Sequence, residues 1–231
     1  MKNHLKAART SLLTLLIPLG IASMAAGQNP QEVTLQFLSF PRAHDPAPVE
    51  LLLANQSTME VEIPTNALSS TYQVPPSNTW VVGETVVGED GRSQFKELGR
   101  AAAINSPSQL IMLIRKGEDH SEGFAVLVMD NRETSFGGGR FLMMNASNVD
   151  IAGEVGSERF AIRSGAHSII RPRSESDERS FHAMFYFRAD ENVRPFYSTR
   201  WPVSDRARSL VFFYNDPANG RIRLHTIRSF N

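Results

Sequence analysis

Arginine set among aromatic side chains is the clearest chemical signature in this sequence. All fourteen basic residues after position 137 are arginine. "RPFYSTRWPVSDRAR" (194–208) places Arg194, Arg200, Arg206 and Arg208 around Phe196, Tyr197 and Trp201, and "IIRPRSESDERS" (169–180) carries Arg171, Arg173 and Arg179. Guanidinium groups stack on aromatic rings and fork onto carboxylates or phosphates, and an indole beside a tyrosine offers a platform for a sugar ring. Arg171, Arg173, Arg194, Arg200 and Trp201 are therefore the candidate binding residues, with an anionic or glycan ligand as their chemistry. A Trp201 that plugs the end of a sandwich, with arginines neutralised by Glu175, Asp177, Glu178 and Asp205, is the competing arrangement. "FHAMFYFR" ends at Arg188 and "SLVFFY" begins at Ser209, and the stretch between holds Pro195 and Pro202. That interruption predicts a long, ordered rim loop over 194–208 with Trp201 partly accessible.

Catalytic patterns are sparse. The histidines (His4, His44, His120, His167, His182, His225) show no metal-ligand spacing, and no HExxH or HxH occurs. No GxSxG elbow is present, and no SxxK has a helical setting. Carboxylate pairs such as Glu60/Glu62, Glu118/Asp119 and Asp190/Glu191 fall in turns or at alternate strand positions, and "EDGRSQF" (89–95) lacks the alternating ligands of a calcium loop. Gly137–Gly139 has no strand-to-helix context for phosphate. No catalytic residue, metal or cofactor is expected from these patterns. A hydrolase whose site assembles only in three dimensions is the enzymatic alternative.

The ends and the charge set the compartment. Lys2, Lys6 and Arg9 precede the apolar "SLLTLLIPLGIASMAA" (11–26), and small residues lead into "QNPQE". This is the layout of a cleaved secretory signal over residues 1–27, predicting a periplasmic or extracellular protein. No later window approaches a membrane span. The chain has no cysteine, so disulfides and thiolate sites are unavailable, as suits a bacterial envelope protein. From residue 28 on, 24 acidic residues face 21 basic ones, and no basic stripe occurs, which argues against nucleic acid. The halves differ in sign: 28–137 holds 14 acidic and 7 basic residues, 138–231 holds 10 and 14.

Positioning these residues falls to strands. Short β-branched and aromatic runs recur every 8–15 residues between Gly, Pro, Asn and Asp clusters, from "VTLQFLSF" (33–40) to "RIRLHTI" (221–227). "SQFKELGRAAAI" (93–104) is the one helix expected, with Phe95, Leu98 and Ala102 on one face. "ELLLANQSTMEVEIPTN" (50–66) and "RFLMMNASNVDIAGEVG" (140–156) read as two copies of one hairpin with an Asn-x-Ser turn. The expected fold is all-β: two tandem, similar, antiparallel β-sandwich-like (Ig-like) units at 28–135 and 136–231, hinged at Gly137–Gly139. Expected core faces are Leu110, Met112 and Ile114 in the first unit and Phe185 and Phe187 in the second. A tandem sandwich without a site motif suits a non-enzymatic envelope protein with a protein partner; the alternative is a glycan- or anion-binding module.

Overall fold

The computed structural model describes residues 31–41, 47–116, 122–173, 179–189, 192–216 and 219–230. The signal-like segment, His44, His120, the acidic run 174–178 and Asp190/Glu191 lie outside them. Among the described residues, sixteen strands make four four-stranded sheets. In the first half these are β1 (Val33–Phe40), β2 (Val49–Leu52), β3 (Thr58–Val61), β4 (Tyr72–Val74), β5 (Thr79–Val87), β6 (Ser93–Ala102), β7 (Ser108–Arg115) and β8 (Phe124–Asp130). One helical turn, α1 (Glu133–Phe136), leads into the second half. There follow β9 (Phe141–Asn145), β10 (Ile151–Val155), β11 (Glu158–Ile162), β12 (His167–Ile170), β13 (Ser180–Ala189), β14 (Asn192–Pro202), β15 (Ala207–Asn215) and β16 (Ile222–Phe230).

The two halves follow one plan. Sheets β4-β1-β7-β8 and β3-β2-β5-β6 recur, eight strands later, as β12-β9-β15-β16 and β11-β10-β13-β14. Even an irregularity recurs: the β5–β6 ladder slips between Val82 and Gly83, and the β13–β14 ladder between Phe185 and Tyr186. Each slip leaves one extra residue on the partner strand, Leu98 in β6 and Phe196 in β14, so these two positions correspond. Volume is traded across the copies. Leu51 faces Val82 in the first, whereas Gly153 faces Phe185 in the second. A Cβ on Gly153 would sit 2.6 Å from the rings of Phe160 and Phe185.

The Asn-x-Ser match that suggested a repeat is not the structural one. Asn55 and Asn145 do make the same bonds, their Oδ1 atoms accepting from the backbone N–H and hydroxyl of Ser57 and Ser147. The first sits in the β2–β3 hairpin, but the second lies at the exit of β9, whose chain then crosses to β10 in the other sheet. An Asx turn is a local device, and here it serves two different connections.

The sheets are also not purely antiparallel. β1 runs parallel to β7, and β9 parallel to β15, at the centre of their sheets. β7, β9 and β15 carry continuous apolar runs because both their faces are covered, whereas β1 keeps Thr34, Gln36 and Ser39 among its apolar residues. Leu35, Phe37, Ile111 and Leu113 face the outer sheet of the first pair, while Leu38, Phe40, Leu110 and Met112 face the other half. Met143, Val211 and Phe213 likewise face the second outer sheet, and Leu142, Met144, Leu210 and Phe212 face the first half. Leu110 and Met112, expected in the first core, thus lie in a layer shared by the halves, with Ile114 packed against it. Phe185 is buried in the second core and Phe187 packs against it, as expected. Phe40 and Phe212 stack across the shared layer at 4.6 Å. Eleven buried side chains form it. Parting the halves would turn this apolar layer to water, which opposes their separation.

A buried cation crosses the same boundary. Arg208 of β15 donates from Nη1 to Asn131 Oδ1 at 2.6 Å and to the Phe136 carbonyl at 3.2 Å, and from Nη2 to Gln36 Oε1 at 3.2 Å. Its guanidinium lies over the Phe136 ring. Burial pulls its pKa down, with Glu133 acting in the opposite sense. Gly137–Gly139 is no hinge. A Cβ on Gly138 would collide with the Asp205 carbonyl, and the Gly139 N–H donates to the Ala207 carbonyl at 2.9 Å, with Gly139 at φ +74°. The glycines permit a close backbone approach rather than motion.

Residues 93–102 form strand β6, not a helix. The three-residue spacing of Phe95 and Leu98 spans the bulge: Phe95 lies over Gly83, while Leu98 enters the core. In β16 no slip occurs. Ile222 and Leu224 face the second core and Ile227 the shared layer, so the broken alternation marks two apolar faces.

Candidate functional site

The arginine–aromatic segment is strand where a loop was expected. Residues 192–202 pair with β13 along its length. Pro195 sits beside the bulge and Pro202 ends the strand, on an edge where a missing N–H breaks no ladder bond. Trp201 is half-buried, stacked on Phe141 at 5.3 Å with 9° between the planes, and 5.3 Å from Phe185. One face of the indole is therefore already taken by the core.

The strand alternation scatters the candidates. Arg200 is opposite His182 on the outer face of its sheet. Arg194 is opposite Phe187 near the other end of the hairpin, about 20 Å from Arg200 at 3.3 Å per residue. Arg171 and Arg173, in the segment after β12, come together. Both are exposed and line a cleft of about 460 Å³ with Gly139, Phe181, Val203, Ser204 and Asp205. Of the five candidates, two share a site, Trp201 adjoins it through its strand partner Phe181, and Arg194 and Arg200 stand apart.

Groups able to do acid–base chemistry are dispersed among the described residues. Ser198 Oγ lies 3.3 Å from His182 Nε2, but both are exposed on the outer sheet face. Asp130 is held well below the usual carboxylate range, chiefly by bonds from Arg132, then from Ser135 and Ser106, against the effect of its own burial. It ties β8 to α1, a structural task. No group of three His, Asp or Glu side chains that could hold a metal occurs among the described residues.

A second cleft, of about 500 Å³, was not legible in the sequence. It opens between the two sheets of the second pair, where β14 contributes Phe196 and the start of β16 contributes Ile222; Phe187, Phe196, Val149 and Ile222 are half-buried in its lining and Arg221 and Arg223 are exposed at its mouth. Val193 and Tyr197 on β14 and Phe230 on β16 are exposed apolar side chains on the same two edge strands. Arg194 pairs with the lining residue Phe187 but is not itself part of the lining. The signal existed in the segment's arginine–aromatic content, but the partner strand β16 is remote in sequence. No protein-family model and no curated protein matches the chain.

Proposed function

We propose that this is an exported, non-enzymatic binding protein of the cell envelope, two tandem Ig-like units following a cleaved signal, that engages a partner through its second sheet pair. The observation that carries this reading is the pair of edge strands β14 and β16, which leave Val193, Tyr197 and Phe230 in solvent. Large apolar side chains on an uncovered edge mark a surface for another molecule. The shared layer supports it, because a rigid body presents such an edge with little conformational entropy left to lose on binding. The signal-like residues 1–27 supply the export half of the proposal. Purification of the tagged chain from native envelopes tests it: a stoichiometric partner, lost with Val193→Glu and Phe230→Glu, is expected. A chain that purifies alone from envelopes, or turns over ester or glycoside substrates, overturns it.

Anion or glycan binding at Arg171 and Arg173 is a second reading, favoured by their convergence on one cleft with Gly139 and Ser204. Binding there weakens with salt, and Arg171→Ala with Arg173→Ala abolishes it.

A further inference from the structure

The two copies differ most where their edge strands meet. In the first pair β6 lies against β8 and closes the sandwich. A Cβ on Gly99 would come 2.8 Å from both the Phe124 carbonyl and the Val126 side chain, and one on Gly123 would strike the Leu98 carbonyl. Leu98 and Phe124 are buried at the floor of a groove of about 480 Å³ whose walls carry Glu97, Arg100, Lys116 and Glu122, charges of both signs. Pairing fixes the counterparts. Val82 pairs with Gly99 and Phe185 with Tyr197, each just before its bulge, so Tyr197 stands where Gly99 does and Phe196 where Leu98 does. Through the β7–β8 and β15–β16 ladders, Ile222 and Leu224 stand where Phe124 and Val126 do.

Replacing glycine with tyrosine forbids the close approach, and β14 and β16 are not drawn together as β6 and β8 are. Leu98 and Phe124 are buried in the first copy, whereas their counterparts Phe196 and Ile222 are half-buried in the second. Phe196 meets Phe187 edge-on at 6.0 Å, and Ile222 faces them. The mouth carries two arginines: Arg221 is exposed, and Arg223 is bonded to Asp216. Pro195 removes a donor from the β14 edge, which disfavours an added peptide strand. A cleft of about 500 Å³ lies within the range of small-molecule sites.

We infer that this opened seam binds a small amphipathic anion, its apolar or aromatic body between Phe187, Phe196 and Ile222 and its carboxylate at Arg221. This names the ligand class within the binding-protein reading and rests on that reading. The test titrates the full mature chain, by calorimetry at low salt and below micelle concentrations, with dodecanoate, dodecanol and dodecyltrimethylammonium. One dodecanoate should bind per chain, about tenfold or more tighter than dodecanol, with the cation weakest. Arg221→Glu should remove the preference for the anion while leaving dodecanol unchanged. Phe196→Leu with Tyr197→Gly, which copies the first unit, should weaken dodecanoate and dodecanol alike by at least tenfold in a protein with unchanged circular dichroism. Equal affinity for anion and cation, or binding indifferent to these variants, overturns the inference. Absence of dodecanoate binding with the envelope partner retained rejects this ligand class alone; loss of both rejects the binding-protein reading too.

Discussion

Phe212→Ala probes how the two halves depend on one another. The Phe212 ring is fully buried in the shared layer, 4.6 Å from Phe40 and within 10° of parallel to it. Truncation removes the transfer free energy of the ring and leaves a cavity that rigid strands on both sides cannot collapse into, costing about 4 kcal/mol. At a guanidinium slope of about 4 kcal/mol/M, the unfolding midpoint falls by about 1 M. The chain carries a reporter in each half. Trp80 is buried in the first core with Nε1 donating to Gln109 at 2.8 Å, and Trp201 stacks on Phe141 in the second. In Trp201→Phe and Trp80→Phe backgrounds, fluorescence follows one half at a time. Because the layer belongs to both halves, Phe212→Ala should move both curves equally, although Phe212 lies in the second half. A shift confined to Trp201, with the Trp80 curve unmoved, would refute the shared-layer reasoning.

Arg208→Leu should destabilise the protein by about 2–3 kcal/mol in thermal or chemical unfolding, because Asn131 and the Phe136 carbonyl lose a charged donor in a buried site. Arg208→Lys should rescue little of this, since one ammonium cannot span Asn131, Phe136 and Gln36. Gly153→Val should cost about 1–3 kcal/mol through contact with the rings of Phe160 and Phe185, measured as a lower denaturation midpoint. Asp130 has a folded pKa below its unfolded value of about 3.9, so its contribution is complete above that pH and is lost as pH falls through about 4 and below. Asp130→Asn should accordingly flatten the acid limb of the stability–pH curve. Acrylamide should quench Trp201 partially and leave Trp80 protected.

The all-β class and the duplicated plan were legible, because period-two alternation and turn residues are local signals, although β6 and β14 were missed as strands. What the sequence hid were features set by pairing. "LIMLI" (110–114) reads as a strand, but only the neighbouring half explains why both its faces are apolar. A bulge made "SQFKELGRAAAI" imitate a helix, since one inserted residue turns a period of two into a spacing of three. Prolines at 195 and 202 suggested a loop where an edge strand tolerates them. Arg171 and Arg173 were legible as a pair because they are two apart in one segment. Arg194, Arg200 and Trp201 were grouped by nearness in sequence, and strand alternation separated them. The seam between β14 and β16 had no local signature, because its two walls come from segments some twenty residues apart and its meaning lies in the contrast with Gly99.

The most direct test of the proposed function is cross-linking in intact cells followed by mass spectrometry of the fractionated envelope. A chain that begins after Ala26 or Gly27 is predicted there, with cross-links from β14 or β16 to a second molecule. A chain that retains Met1, recovered from the cytosol without such cross-links, would contradict the account.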